Sequence, residues 1–125
     1  MNLQLQRRIS RYLSAVVTVL VFIAMVHPNP TVPFAFTDKF LHGLMFYALT
    51  LLFLSIRSKR QLVLIAFAMV IGCATEVSQL LVSSRQADLI DLLANFTGIA
   101  AAVATWTAFT MLINHLRRNV AEREA

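Results

Sequence analysis

Only six acidic residues occur in this chain, and four of them, Asp38, Glu76, Asp88 and Asp91, stand at the borders of long apolar runs. His42, Gln79, Arg85 and Asn95 lie among them at helical spacings. Asp38 and His42 are i, i+4 and share one helix face, so the carboxylate could orient the imidazole and raise its basicity. A general base or a metal ligand needs such a pair. The plainer reading is that Thr37 or Asp38 caps a helix and His42 satisfies a core partner. Gly72, Thr75, Glu76, Gln79 and Ser83 form a second stripe. An ionised Glu76 on it requires a cationic or metal partner, Arg85 first and His42 next. A buried ion pair that merely locks helices is the competing reading. Asp88, Asp91 and Asn95 form a third stripe at i, i+3 and i+7. The two acids suit an N-cap and an acidic first turn, but Asn95 lies too deep to be a cap.

Pooled, these residues could do two kinds of chemistry. As an acid–base site, Glu76 and Asp91 are the working carboxylates and His42 assists proton transfer, so these three are the catalytic candidates. Arg85 would hold a phosphate, Gln79 and Asn95 would orient substrate, and Lys39 could bind an anionic headgroup or simply snorkel to the interface. As a metal site, the carboxylates of Asp38, Glu76, Asp88 and Asp91 with one imidazole would suit a hard divalent cation such as Mg²⁺, Mn²⁺ or Ca²⁺ better than they would make a thiol-rich zinc site. The cofactor is otherwise unspecified. There is no Ser/His/Asp triad, phosphate loop or nucleotide motif, so covalent catalysis and ATP use have no support, and whether the chain is an enzyme stays open.

What positions these groups is a set of apolar helices. Of 125 residues, 58% are hydrophobic and 14% charged, and the mean hydropathy is +0.71. A soluble domain is nearer half apolar and a quarter charged. Apolar runs of membrane-crossing length predict helices at about 9–27, 39–56, 61–83 and 88–113, followed by a basic amphipathic tail at 114–125. All three prolines fall between Pro28 and Pro33 and mark a break after the first helix. No small-x-small cleavage site follows that helix, so it is expected to stay attached. Cys73 lies inside an apolar run and reads as a small core hydrophobe.

The expected fold is therefore an all-α membrane protein, a single domain over 1–125 built as an antiparallel four-transmembrane-helix bundle. Nine of the eleven Lys and Arg residues fall on the amino terminus, the second loop and the tail, with only Lys39 and Arg85 elsewhere. The positive-inside rule puts both termini in the cytoplasm, and the acids of helices 2, 3 and 4 then meet at the outer ends. Glu76 and Asn95 would face each other about 10 Å below the outer rim, with Gln79 near Asp91 one turn closer to water. The basic residues sit in short clusters without interleaved aromatics, which argues for membrane orientation and against nucleic acid as partner.

The motifs Asp38-Lys-Phe-Leu-His42, Glu76-Val-Ser-Gln79 and Arg85-x-x-Asp88-x-x-Asp91-x-x-x-Asn95-x-x-Gly98 resemble those of VanZ-like membrane proteins, in order and spacing. Ala102 departs from a glycine often repeated there. The resemblance implies a small bacterial integral protein of the cytoplasmic (inner) membrane. The family takes its name from a member associated with low-level teicoplanin resistance.

Three functions are weighed. The leading one is an extracytoplasmic polar pocket that binds, and if catalytic modifies, an amphipathic envelope molecule: a lipid-linked cell-wall precursor, a phospholipid or a lipoglycopeptide. The alternative is a non-catalytic assembly or binding subunit whose polar residues are structural. A proton- or ion-coupled transporter ranks third, because four helices with no broken helix and no inverted repeat leave little room for alternating access. The bilayer is the one firm partner expected; ligand and oligomeric state are left open.

Overall fold

The computed structural model describes residues 3–26, 35–56, 61–81 and 88–124. They form four helices: α1 (Leu3–Val26), α2 (Ala35–Ser55), α3 (Gln61–Gln79) and α4 (Leu89–Glu124). No strand occurs among the described residues. None of the helices contains proline, and the three glycines inside them each face a neighbouring helix.

The boundaries differ from the sequence expectation in instructive ways. α2 begins at Ala35, so Asp38 lies in its first turn instead of just ahead of it. α3 ends at Gln79, with Leu80 and Leu81 in a turn closed by bonds from their amides to the Val77 and Ser78 carbonyls. Glu76 therefore sits about 5 Å from the end of its helix at 1.5 Å per residue, shallower than expected. α4 runs unbroken for 36 residues to Glu124. Nothing after Ile113 stops a helix: the following residues include good helix formers and neither Gly nor Pro. At about 54 Å, α4 exceeds the roughly 30 Å hydrocarbon layer, so its basic end extends well beyond the apolar segment.

α2 and α4 make the most extensive contact, α3 packs on both, and α1 packs on α2 and α3. Phe46, Leu49, Phe53, Ala68, Ile71 and Ile99 form the apolar core with Val21 and Met25 of α1. The Phe53 and Phe67 rings lie 6.0 Å apart. The closest approach is between α2 and α4, where a Cβ added at Gly98 would overlap the Gly43 carbonyl oxygen. Ala94 and Gly98, four residues apart on α4, meet Gly43 of α2 there. With no side chain at either glycine, backbones meet directly and draw the polar groups above them together.

The pattern of burial is inverted relative to a water-soluble protein. His42, Thr50, Thr75, Glu76, Gln79, Asp91 and Asn95 are buried, while Leu62, Val70, Leu81 and Met111 are exposed. Hydroxyls on the exposed face of α4 donate to carbonyls of their own helix: Thr97 to Leu93 at 2.7 Å, Thr105 to Ala101 at 2.9 Å and Thr107 to Val103 at 2.8 Å. Each polar group on this apolar surface is thus satisfied without water, as a bilayer demands. Two helical segments, Gln61–Gln79 and Leu89–Arg123, are long and apolar enough to cross a membrane, and Tyr12–Val26 is a shorter apolar stretch. Cys73 is corrected by the structure: it is exposed, because the buried face of α3 carries Ala68, Ile71, Gly72, Thr75, Glu76 and Gln79, and Cys73 points off that face.

Candidate functional site

The polar groups of α2, α3 and α4 converge at one end of the helices. His42 is completely buried, and its Nδ1 lies 3.1 Å from the Asn95 Oδ1. The Asn95 amide donates to the Glu76 Oε1 at 3.5 Å, and the same Glu76 oxygen is 3.6 Å from the His42 Nδ1. An amide that donates through Nδ2 accepts through Oδ1, so the His42 proton belongs on Nδ1 and its lone pair on Nε2. The His42 Nε2 is buried without a hydrogen-bond partner. Sequence spacing pointed to Asp38 as the group that orients the ring; Asn95 does so instead, with Glu76 beside it.

Lys39 spans the outer part of the cluster. Its ammonium donates to the Asp88 Oδ2 at 2.5 Å and to the Asp91 Oδ1 at 2.8 Å. Asp91 is buried and Asp88 partly exposed. Asp88 also caps α4: its Oδ1 accepts from the Ile90 amide at 2.8 Å, and its carbonyl accepts from the Asp91 and Leu92 amides. The Lys39 ammonium, assisted by the Ile90 amide, holds the Asp88 carboxyl below the usual carboxylate range. The Asp88 amide donates to the Glu76 Oε2 at 3.4 Å, so Glu76 reaches from the start of α4 to Asn95. The capping reading of Asp88 holds, and the same side chain also anchors Lys39.

The remaining candidates separate. Gln79 is buried, but its amide donates to the Met25 carbonyl at 2.9 Å and so closes the last turn of α1. Arg85 lies outside the described residues. A ring nitrogen of His42 and one carboxylate oxygen each from Asp38 and Asp91 come within 4.8 Å of one another, which makes these three, drawn from α2 and α4, the set among the described residues able to share a metal ion. That set contains Asp38, Asp91 and the His42 imidazole from the sequence expectation and leaves out Glu76 and Asp88.

Beneath Lys39 an apolar groove of about 350 Å³ opens between α2 and α4. It is lined by Lys39, Gly43 and Tyr47 on one side and Ala94, Gly98 and Ala101 on the other. Sequence reasoning missed it. The available signal was the helical spacing of Lys39, Gly43 and Tyr47 facing the small residues of α4: missing side chains leave a trough wherever backbones touch. The groove and the polar cluster meet at Lys39, which lines the one and bonds to Asp88 and Asp91 in the other.

Comparison with known proteins gives one positive finding: a family model described as VanZ/LLP1 matches residues 1–112. No curated protein and no solved structure matches the chain.

Proposed function

The chain belongs to the VanZ/LLP1 family, and on that premise we propose that it binds an amphipathic envelope molecule, headgroup in the polar cluster and acyl portion along the α2–α4 groove. One observation carries this reading. Buried His42, Glu76, Asp91 and Asn95 from three helices converge, and Lys39, bonded to Asp91, also lines an open apolar groove between α2 and α4. A molecule polar at one end and apolar along its length matches both parts.

In this reading the four helices each cross the bacterial cytoplasmic membrane as an antiparallel bundle. Both termini lie in the cytoplasm, and the cluster opens on the extracytoplasmic side. The inverted burial pattern and the Lys and Arg distribution support that placement. A lipid-linked cell-wall precursor, a phospholipid or a lipoglycopeptide presents its headgroup at that depth. If the protein acts on its ligand, Glu76 and Asp91 are the carboxylates placed for acid–base work, and His42, oriented by Asn95, relays a proton. Lys39 and Arg85 are the cations available to a phosphate.

The structural alternative has its own observation: Lys39 bridging Asp88 and Asp91 joins α2 to α4 as a clasp would. Purification of wild type, Glu76→Gln and Asp91→Asn from membranes holding equal amounts of each, with mass spectrometry of bound lipid, separates the two. The proposal expects one amphipathic species that wild type retains and both variants release while their thermal stability stays near wild type. Identical lipid in all three removes the site; loss of lipid only together with stability makes the polar face structural.

A further inference from the structure

We infer that Asp38, Asp91 and the Nε2 of His42 form a binding site for a divalent transition-metal cation; the inference rests on the cluster being a ligand site, as proposed above. One ring nitrogen of His42 and one carboxylate oxygen each from Asp38 and Asp91 lie within 4.8 Å of one another, the spacing around one shared ion. Carboxylates alone would not carry the argument. The second observation is the imidazole: His42 is wholly buried, its Nδ1 is committed to Asn95, and its Nε2 has no partner. A buried polar atom left without a bond costs about 1–3 kcal/mol, so a fold that maintains one on an imidazole grouped with two carboxylates calls for a ligand there.

The surroundings have the form that metal-bound histidines require. A ligating imidazole donates its other N–H to an oxygen that fixes the tautomer, here Asn95, which is itself held by Glu76. The Lys39 ammonium touches both Asp88 and Asp91; drawn back to Asp88 alone, it opens the Asp91 carboxylate to the ion. One imidazole with two carboxylates favours Mn²⁺ or Zn²⁺ over Mg²⁺ and Ca²⁺, which take oxygen ligands almost exclusively. This narrows the sequence expectation in two respects: Glu76 and Asp88 drop out as ligands, and of the expected ions Mn²⁺ is kept, joined by Zn²⁺, while Mg²⁺ and Ca²⁺ are disfavoured. Glu76 becomes a positioning residue for His42.

The test uses full-length protein in lipid nanodiscs, stripped with chelator and titrated with Mn²⁺ alone. Pulsed electron paramagnetic resonance of the loaded protein reads the ligands directly. The expected result is one Mn²⁺ per chain with ¹⁴N modulation from a directly bonded imidazole. Asn95→Ala should weaken binding by about 10–100-fold, and the near-isosteric Asp91→Asn should weaken it at least as much. Wild type that binds no Mn²⁺, or binds it without ¹⁴N coupling, overturns the site whatever the variants do. Lipid retention measured on the same samples keeps the two readings apart. Lipid held in a Glu76-dependent way without Mn²⁺ sinks the metal site alone, and Mn²⁺ bound without such lipid sinks the amphipathic ligand alone.

Discussion

Substituting Gly98 with alanine tests whether the contact between the α2 and α4 backbones is what assembles the cluster. A Cβ at Gly98 would overlap the Gly43 carbonyl oxygen and crowd the Tyr47 amide nitrogen at 3.0 Å. Both are backbone atoms inside a helix, so neither can rotate away and the helices must separate. Overpacking of this kind costs typically about 1–3 kcal/mol. An overlap this deep with fixed backbone belongs at the upper end of that range, and glycine-to-alanine replacement in a helix returns up to about 1 kcal/mol, leaving a net loss of roughly 2 kcal/mol. Separation would also stretch the His42–Asn95 and Lys39–Asp91 bonds that cross the same interface. Thermal unfolding in one detergent, with lipid retention measured in parallel, reads both effects. Gly72→Ala is the internal control: its Cβ would meet the Asn95 Cβ and the Phe46 ring at 3.5 Å, ordinary contact distance, and should be neutral or slightly stabilising. Gly98→Ala as stable as wild type, with lipid retained, would refute the reasoning.

Phe46 is wholly buried in the apolar core, so Phe46→Ala should cost about 3–5 kcal/mol, seen as a large fall in unfolding temperature. Gln79→Leu removes the donor that closes α1 on the Met25 carbonyl and should cost about 0.5–1.5 kcal/mol; unchanged stability would deny that bond any weight. The depressed Asp88 value predicts an acid limb of fixed sign. Below an unfolded value of about 3.9 the unfolded chain binds the extra proton. The contribution of the Lys39–Asp88 pair is therefore full above that pH and lost as pH falls through the lower folded value. Unfolding temperature followed against pH should show wild type losing its advantage over Asp88→Asn only in that acid range; an advantage that shrinks already near neutral pH would contradict the assignment.

Much of this was legible in sequence because few polar residues occur and each had to be explained. The three stripes containing His42, Glu76 and Asn95 pointed to one layer, and the structure brings those three side chains together across α2, α3 and α4. Partner choice within the layer was less accessible. Asp38 is one turn from His42 along α2, yet Asn95 holds the ring, because the glycine contact brings α4 closer than spacing along one helix reveals. Gln79 shares the stripe of Glu76 but turns to α1, since its position at the end of α3 coincides with the end of α1, where carbonyls lack helical partners. Cys73 misled because an apolar run on a lipid-facing helix does not distinguish buried from exposed positions. The groove was invisible for a related reason: it is made by side chains that are absent.

The most direct measurement places a photo-crosslinking amino acid at Phe40, an exposed residue of the groove lining beside Lys39, and at Phe109, exposed on α4 away from the groove. Irradiation in native membranes followed by intact-mass analysis identifies what lies against each position. A single amphipathic adduct at position 40, lost in Glu76→Gln and absent at position 109, is the predicted result. The same mixture of bulk lipids at both positions, indifferent to Glu76, would contradict it.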